Sequence, residues 1–163
     1  MPTASAATDA LPTALLIVDT GVLVAATDRT DPYHQACGTL LTTETEPSLT
    51  SAMVIAETAY LLDRELGPQV EATLYESITT GQLLVESLTH DDWLRVHELV
   101  LTCADLRLGG TDAGLIALAE RYRAERIATL NHRHFAVVRP THTDAFTLLP
   151  DTGAVRASAR KQS

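Results

Sequence analysis

The sequence predicts an α/β domain whose central sheet is mostly parallel. Short apolar runs alternate with segments of helical periodicity along most of the chain, which is typical of this class. The first apolar run, LLIV at residues 15–18, is continuous, as expected of a strand buried on both faces. The 163 residues, 45 % of them hydrophobic, suffice for one domain with its own core.

The first third of the chain predicts two strands connected through a helix. The strand at 15–18 should end in a turn at residues 19–21, Asp-Thr-Gly, because these residue types favour tight turns. A helix is expected around residues 33–44, and residues 48–50 are a candidate for a second short strand. This region therefore begins the alternation of strands and helices.

The middle of the chain predicts two helices and a third strand. Residues 52–65 carry a stripe of apolar side chains at helical spacing, which ends before Gly67-Pro68. Residues 69–79 predict a second helix, and residues 83–85 predict a strand.

The last third predicts two helices and two strands. Thr89 is expected to cap a helix that has acids in its first turn and runs to about residue 104. Thr111 is expected to cap a helix over 112–123. Two apolar segments are the remaining strand candidates: residues 127–130 and 145–149.

The folded domain is expected over residues 14–150. Small and polar residues are frequent at both ends, so residues 1–13 are predicted to be a disordered tail and 151–163 a flexible one. No apolar run reaches the length of a membrane span, and the N-terminal residues lack the basic and apolar parts of a secretory signal. Two cysteines without paired spacing favour a reducing, cytoplasmic setting.

The lysine content excludes several enzyme classes. The chain has one lysine, Lys161, close to its end. A P-loop needs a lysine beside its glycines, and Schiff-base chemistry needs an internal lysine. No serine lies in a G-x-S-x-G motif either. Phosphate-loop, pyridoxal and serine-hydrolase chemistries are therefore not expected.

Charge is distributed unevenly along the chain. Residues 1–100 contain 15 acids and three arginines, whereas residues 101–163 contain six acids and nine basic residues. Such an acidic protein is a poor general binder of nucleic acid, but a local arginine cluster could still contact phosphate. The alternative is that these arginines are solvated charges on helix faces. The candidates for RNA phosphate contact are Arg121, Arg123, Arg126 and Arg133.

Two acids in the first half of the chain are candidate site residues. Asp19 directly follows a buried strand, and ligands of open parallel sheets bind at the carboxyl ends of strands. The alternative for Asp19 is an Asx-turn. Glu57 falls at the edge of the apolar stripe of its helix, where a carboxylate needs a partner or a metal unless it reaches solvent.

Three further polar residues lie in the second half. Asp112 opens a helix, where an acid also suits the helix dipole. Asp105 precedes it by seven residues and could equally be an ordinary loop acid. Asn131 follows the strand at 127–130, so it should lie at the same sheet edge as Asp19 if the two strands are parallel.

The two histidines that follow, His132 and His134, give a weaker signal for metal binding. Side chains two residues apart point the same way only on a strand, and this segment should be leaving one. A surface loop is the plainer expectation.

Carboxylates gathered at one sheet edge predict a hard cation. They repel one another unless a cation neutralises them. Mg²⁺ or Mn²⁺ takes oxygen ligands and keeps waters that can attack phosphorus.

Four segments, in this order and at these separations, resemble the PIN-domain nucleases, and in particular the VapC-type toxins of bacterial toxin–antitoxin pairs. The resemblance covers residues 14–150. The segments are LLIVDTGVLVA at 15–25, SAMVIAETAYLL at 51–62, DLRLGGTDAGLIALAER at 105–121 and IATLNHRHF at 127–135.

The resemblance implies a three-layer α/β/α fold and a metal-dependent endoribonuclease that cleaves cellular RNA and so inhibits translation and growth. The family's acids correspond to Asp19, Glu57 and Asp112, which would hold Mg²⁺ or Mn²⁺. The fourth acidic position corresponds to Asn131, which brings no charge. The expected supporting residues are Thr20, Thr111 and Asp105.

The resemblance also implies protein partners. A homodimer and a VapB-type antitoxin are expected, with a segment of the antitoxin lying over the active site. Apolar surface on the helices at 52–80 is where that segment would be sought.

Two alternatives remain. Asn131 leaves open a non-catalytic PIN-like domain that binds RNA or a partner protein. A phosphatase of the haloacid-dehalogenase type is the weaker alternative, because it would need an aspartate where Gly21 stands and a buried lysine, and the sequence has neither.

Overall fold

The computed structural model describes residues 15–153 and contains a five-stranded, all-parallel sheet in the order β3-β2-β1-β4-β5. The predicted tails at 1–13 and 151–163 lie outside the described residues, except for residues 151–153. The strands are β1 Leu16–Val18, β2 Ser48–Ser51, β3 Leu83–Glu86, β4 Arg126–Ala128 and β5 Thr147–Leu149.

Seven helices flank this sheet within the described part of the chain, which confirms the predicted three-layer α/β/α fold with a parallel sheet. A short 3₁₀ turn, Ala104–Leu106, precedes the sixth helix. The helices are α1 Thr20–Thr27, α2 His34–Thr43, α3 Ala52–Leu66, α4 Pro68–Thr79, α5 His90–Thr102, α6 Gly110–Tyr122 and α7 His132–Val137.

The strand order creates a switch point beside β1. The chain moves outward from β1 through β2 to β3, and then returns to pair β4 with the other side of β1. The connections that leave β1 and β4 therefore depart in opposite directions, and the crevice between them is where ligands of open parallel sheets bind. Ile17 pairs with Leu49 on one side and Ile127 on the other, so β1 is buried as its continuous apolar run predicted.

Helix α6 is the most deeply buried helix of the described chain. Every residue from 113 to 119 is buried. Three of the seven are alanines and one is Gly114, where an added Cβ would lie 3.2 Å from Leu88 Cδ1. These small residues allow α6 to pack closely, and this packing fixes the position of its first turn, which contains Asp112.

Sequence reasoning missed α1 and α7. Residues 20–27 were expected to begin as a turn, but α1 starts directly after β1. Its residues TGVLVAAT are almost all apolar, so no polar face reveals a helical period. The loop expected at His132 and His134 is helix α7, which has six residues, too few for a period, and packs through the fully buried Phe135.

The predicted cap of α6 was also wrong. Thr111 lies inside the first turn, because the helix begins two residues earlier, and the N-cap is Gly109 without a side-chain bond. The cap predicted for α5 is confirmed: Thr89 and Asp92 bond reciprocally to each other's backbone N–H groups. No helix in residues 15–153 has the length and apolar character needed to cross a bilayer.

Candidate active site

Asp19 lies at the carboxyl end of β1, beside the switch point between β1 and β4. It is the N-cap of α1 and only 6 % exposed. Its Oδ1 accepts a hydrogen bond from the backbone N–H of Thr20 at 2.7 Å, and its Oδ2 accepts one from the Thr129 hydroxyl at 2.8 Å. Its backbone N–H donates to Ala128 O, which ties this residue to β4. The carboxylate is therefore held by both strands of the switch point.

The surroundings of Asp19 disfavour its negative charge. The pKa of Asp19 is raised from the ordinary 3.8 to about 6, mainly by burial and in part by the nearby carboxylates Asp112 and Glu57. The hydrogen bonds from Thr129 and Thr20 stabilise the charged form and oppose this rise. A buried carboxyl group with two acidic neighbours is the arrangement that a bound cation would relieve.

Glu57 reaches the site from α3. Its side chain is exposed, and Oε2 accepts a hydrogen bond from the Thr20 hydroxyl at 3.0 Å. Thr20 therefore contacts both acids, through its backbone N–H to Asp19 and through its hydroxyl to Glu57. Glu57 is open to solvent, and it also has a polar partner in the Thr20 hydroxyl, because a position at the edge of the apolar stripe borders both solvent and the strand ends.

Asp112 reaches the site from the first turn of α6. Its Oδ2 lies 2.6 Å from Nδ1 of His134. The same ring nitrogen lies 2.7 Å from the Asn131 side-chain amide. The backbone N–H of Asn131 donates to the Thr129 hydroxyl at 3.0 Å. Asn131 is thus in the site, as predicted for the sheet edge, but its side chain faces a histidine.

Two residues of the site were missed by sequence reasoning. Thr129 is fully buried and bonds to Asp19 across the strand pair. The sequence does show a hydroxyl residue shortly before Asn131, near the end of the predicted strand. Only the pairing register of β1 and β4 shows that this hydroxyl lies beside the carboxylate of Asp19. His134 could have been found as the i+3 neighbour of Asn131 once this segment is known to be helical.

Asp105 and Thr111 lie apart from this cluster. Asp105 is exposed in the 3₁₀ turn, where it lines a groove between α5 and α7. Within residues 15–153 neither Asp105 nor the Thr111 hydroxyl forms a hydrogen bond with Asp19, Glu57 or Asp112.

Three of the four candidate arginines lie away from the site. Arg121 contacts Asp92 at 3.3 Å, and Arg126, at the amino end of β4, forms a two-pronged ion pair with Glu44. Arg123 ends α6, at the opposite end from Asp112, with a left-handed φ of 53°. Arg133 alone is on α7, where it is exposed beside the site residues.

The donor chemistry of the cluster fits a magnesium or manganese ion. Asp19, Glu57 and Asp112 offer carboxylate oxygens, which these hard cations prefer. Burial and the neighbouring carboxylates raise the pKa of Asp19, so the hydrogen bonds from Thr129 and Thr20 compensate its charge only in part. In residues 15–153 as they stand, no three Asp, Glu, His or Cys side chains are already gathered in a form that could hold a metal. Side-chain adjustment would therefore accompany binding.

Comparisons with known proteins agree with this fold. Residues 16–139 match the family described as the PIN domain. The chain is 30 % identical to Ribonuclease VapC26 of Mycobacterium tuberculosis over 135 residues, which are 83 % of this chain and all of that protein.

Two solved structures are similar in fold. The first is VapC20 of Mycobacterium tuberculosis, described as a Sarcin-Ricin loop cleaving toxin, with a TM-score of 0.64, 21 % identity, and coverage of 69 % of this chain and 86 % of that one. The second is FitAcB from Neisseria gonorrhoeae, with a TM-score of 0.56, 15 % identity, and coverage of 74 % and 91 %.

Proposed function

The chain belongs to the PIN-domain family, and within it to the VapC type, and from this membership we propose that it is a divalent-metal-dependent endoribonuclease. The observation that carries the proposal is the burial of Asp19 at the switch point, close enough to Asp112 and Glu57 for their charges to raise its pKa. A site that concentrates negative charge out of water is suited to a cation and to a phosphate bound through it.

The proposed roles follow from the contacts. Asp19 and Asp112 would hold Mg²⁺ or Mn²⁺, with Glu57 beside them. When bound there, the ion would lower the pKa of a water molecule and would neutralise charge on the phosphoryl oxygens. Thr20 and Thr129 orient the acids through their hydroxyl groups, at 3.0 Å from Glu57 and 2.8 Å from Asp19. Asn131 contributes position and no charge.

We propose that the substrate is a cellular RNA whose cleavage stops translation and growth. Arg133 is the arginine best placed to contact its phosphates, because it is exposed on the helix that carries His134. VapC26 is described as a ribonuclease, and VapC20 is described as cleaving the Sarcin-Ricin loop, so an RNA that contains this loop is the first substrate to examine.

We propose that the protein acts as the toxin of a pair, as a homodimer neutralised by a VapB-type antitoxin in the cytoplasm. The face of α3 and α4 supports an antitoxin site near the acids. Tyr60 on α3, one turn beyond Glu57, is 62 % exposed, and Tyr75 on α4 is also exposed. Exposed aromatic side chains of this kind are frequent anchors at protein interfaces.

The test is cleavage of total RNA from the source organism by the purified protein. Reactions contain Mg²⁺, Mn²⁺ or a chelator, and the new 5′ and 3′ ends are mapped. Asp112→Ala removes an acid from the first turn of α6, and Asp91→Ala removes one from the first turn of α5 and serves as its matched control.

Discrete cuts that require metal, persist in Asp91→Ala and vanish in Asp112→Ala are expected. Cuts that survive both the chelator and Asp112→Ala would refute the proposed chemistry. Metal binding without any cut would favour a non-catalytic PIN-like domain that binds RNA or a partner.

A further inference from the structure

Asn131 links Asp19 and Asp112 through hydrogen bonds, although these two acids lie on different elements of the fold. Its backbone N–H donates to the Thr129 hydroxyl, and that hydroxyl donates to Asp19 Oδ2 at 2.8 Å. Its side chain meets His134, and His134 meets Asp112 Oδ2 at 2.6 Å. A continuous set of hydrogen bonds therefore runs from one carboxylate to the other through the residue at the fourth acidic position.

The histidine contact constrains the atoms involved. Nδ1 of His134 lies within 2.7 Å of both Asp112 Oδ2 and the Asn131 amide. One ring nitrogen cannot donate to the carboxylate and accept from an amide N–H at the same time. The consistent assignment has Nδ1–H shared between Asp112 Oδ2 and the carbonyl oxygen of Asn131, with the amide turned accordingly.

The histidine is also well anchored. Phe135, the next residue, is fully buried, and α7 packs against α6 and β5. The side chains of His134 and Asp112 are only 21 % and 17 % exposed. Asp112 Oδ1, by contrast, accepts no hydrogen bond from any residue between 15 and 153. His134 therefore occupies one oxygen of Asp112 and leaves the other available.

We propose that His134 is a positioning residue that orients Asp112 for the metal, and that Asn131 holds His134 in place. This inference rests on the proposed function, because it concerns the same metal site. Carboxylates that bind metals are commonly fixed by a second hydrogen bond of this kind. Asn131 supplies its acceptor oxygen to the ring without adding a second negative charge beside Asp112.

The test measures Mn²⁺ binding by titration calorimetry on chelator-stripped protein. His134→Leu removes the donor while keeping much of the volume, and the expected loss is about 10- to 100-fold in affinity. His134→Asn places an amide nitrogen near the position of Nδ1, and most of the affinity is expected to return. Val137→Ala, an exposed change on the same helix, is the control and should bind like the wild type.

Thermal unfolding without metal distinguishes a positioning role of His134 from an effect on folding. The wild type and the three variants should melt at similar temperatures. If His134→Leu proves unfolded, Asn131→Ala takes its place, with a smaller expected loss of affinity.

Wild-type affinity in His134→Leu would overturn the inference while leaving the proposed function intact. Equally weak Mn²⁺ binding by His134→Leu and His134→Asn would overturn it as well. In that case a restored N–H donor would not restore affinity, so His134 would not act by donating to Asp112. A wild-type protein that binds no Mn²⁺ would overturn both the inference and the proposed metal site.

Discussion

The buried carboxyl group of Asp19 lowers the stability of the folded protein when it is ionised. Its folded pKa of about 6 exceeds the ordinary 3.8, mainly because the group is buried. The folded state therefore binds the proton more tightly than the unfolded state. The stability that this group contributes is complete below pH 3.8 and is lost as pH rises to about 6. At neutral pH the metal-free protein is therefore destabilised to the full extent by the ionised Asp19 carboxylate.

Asp19→Asn should consequently stabilise the metal-free protein at pH 7.5. Asparagine has nearly the same shape and still caps a helix. A pKa change from 3.8 to about 6 corresponds to about 3 kcal/mol, which is the upper bound of the gain in unfolding free energy. Urea denaturation in chelator at pH 7.5 and pH 4 measures it, and the gain should shrink at pH 4. A variant less stable than wild type at pH 7.5 would contradict this account of Asp19.

The Thr129 hydroxyl is expected to matter although no charge resides on it. Thr129→Val keeps the shape but removes the donor to Asp19 and the acceptor for the Asn131 N–H. Leaving the buried Asp19 carboxylate and the partly buried Asn131 N–H without this partner should lower the unfolding free energy by about 1–3 kcal/mol. RNA cleavage should fall as well, because Asp19 loses a bond that stabilises its charged form. Unchanged stability and unchanged cleavage together would show that this hydrogen bond is dispensable.

At the scale of helices and strands, the cap of α5 offers a test that spares the site. Thr89 and Asp92 bond reciprocally to each other's backbone N–H groups at 3.2 and 2.8 Å. Thr89→Ala should lower the unfolding free energy by about 1 kcal/mol. Thermal melts should detect a shift of about 2–4 °C. Cleavage at a temperature well below the melt should stay at the wild-type rate, and a marked loss would mean that α5 influences the site.

The elements that sequence reasoning predicted are those whose pattern is local. The continuous apolar run of β1, the amphipathic stripe of α3 and the cap at Thr89 each carry their signal within a few residues. Helix α1 lacks a polar face and α7 is a turn and a half long, so neither shows a period. Their existence depends on packing against the rest of the fold.

The same distinction explains which site residues could be predicted. Asp19, Glu57 and Asp112 occupy positions next to a strand end, a stripe edge and a helix start, all of which can be read along the chain. Thr129 and His134 acquire their roles from contacts across the sheet edge. The parallel pairing of Val18 with Ala128, for example, brings Thr129 beside Asp19. Such a register is a property of the assembled sheet.

At the scale of the whole molecule, the strand order explains why the acids meet. Asp19 follows β1, Thr129 follows β4, and β1 and β4 are neighbours on either side of the switch point. Helices α3 and α6 then bring Glu57 and Asp112 to the same edge from regions that are distant in the sequence. The fold thus concentrates acidic groups at one edge of the sheet, and the proposed metal site depends on this concentration.

The central claim is that this crevice binds a divalent metal, and the most direct measurement is the anomalous X-ray signal of Mn²⁺ in a crystal soaked with the ion. The account predicts a manganese peak in contact with carboxylate oxygens of both Asp19 and Asp112, absent from crystals of Asp19→Asn. A crevice without manganese at a saturating concentration, or a peak that persists in Asp19→Asn, would contradict it.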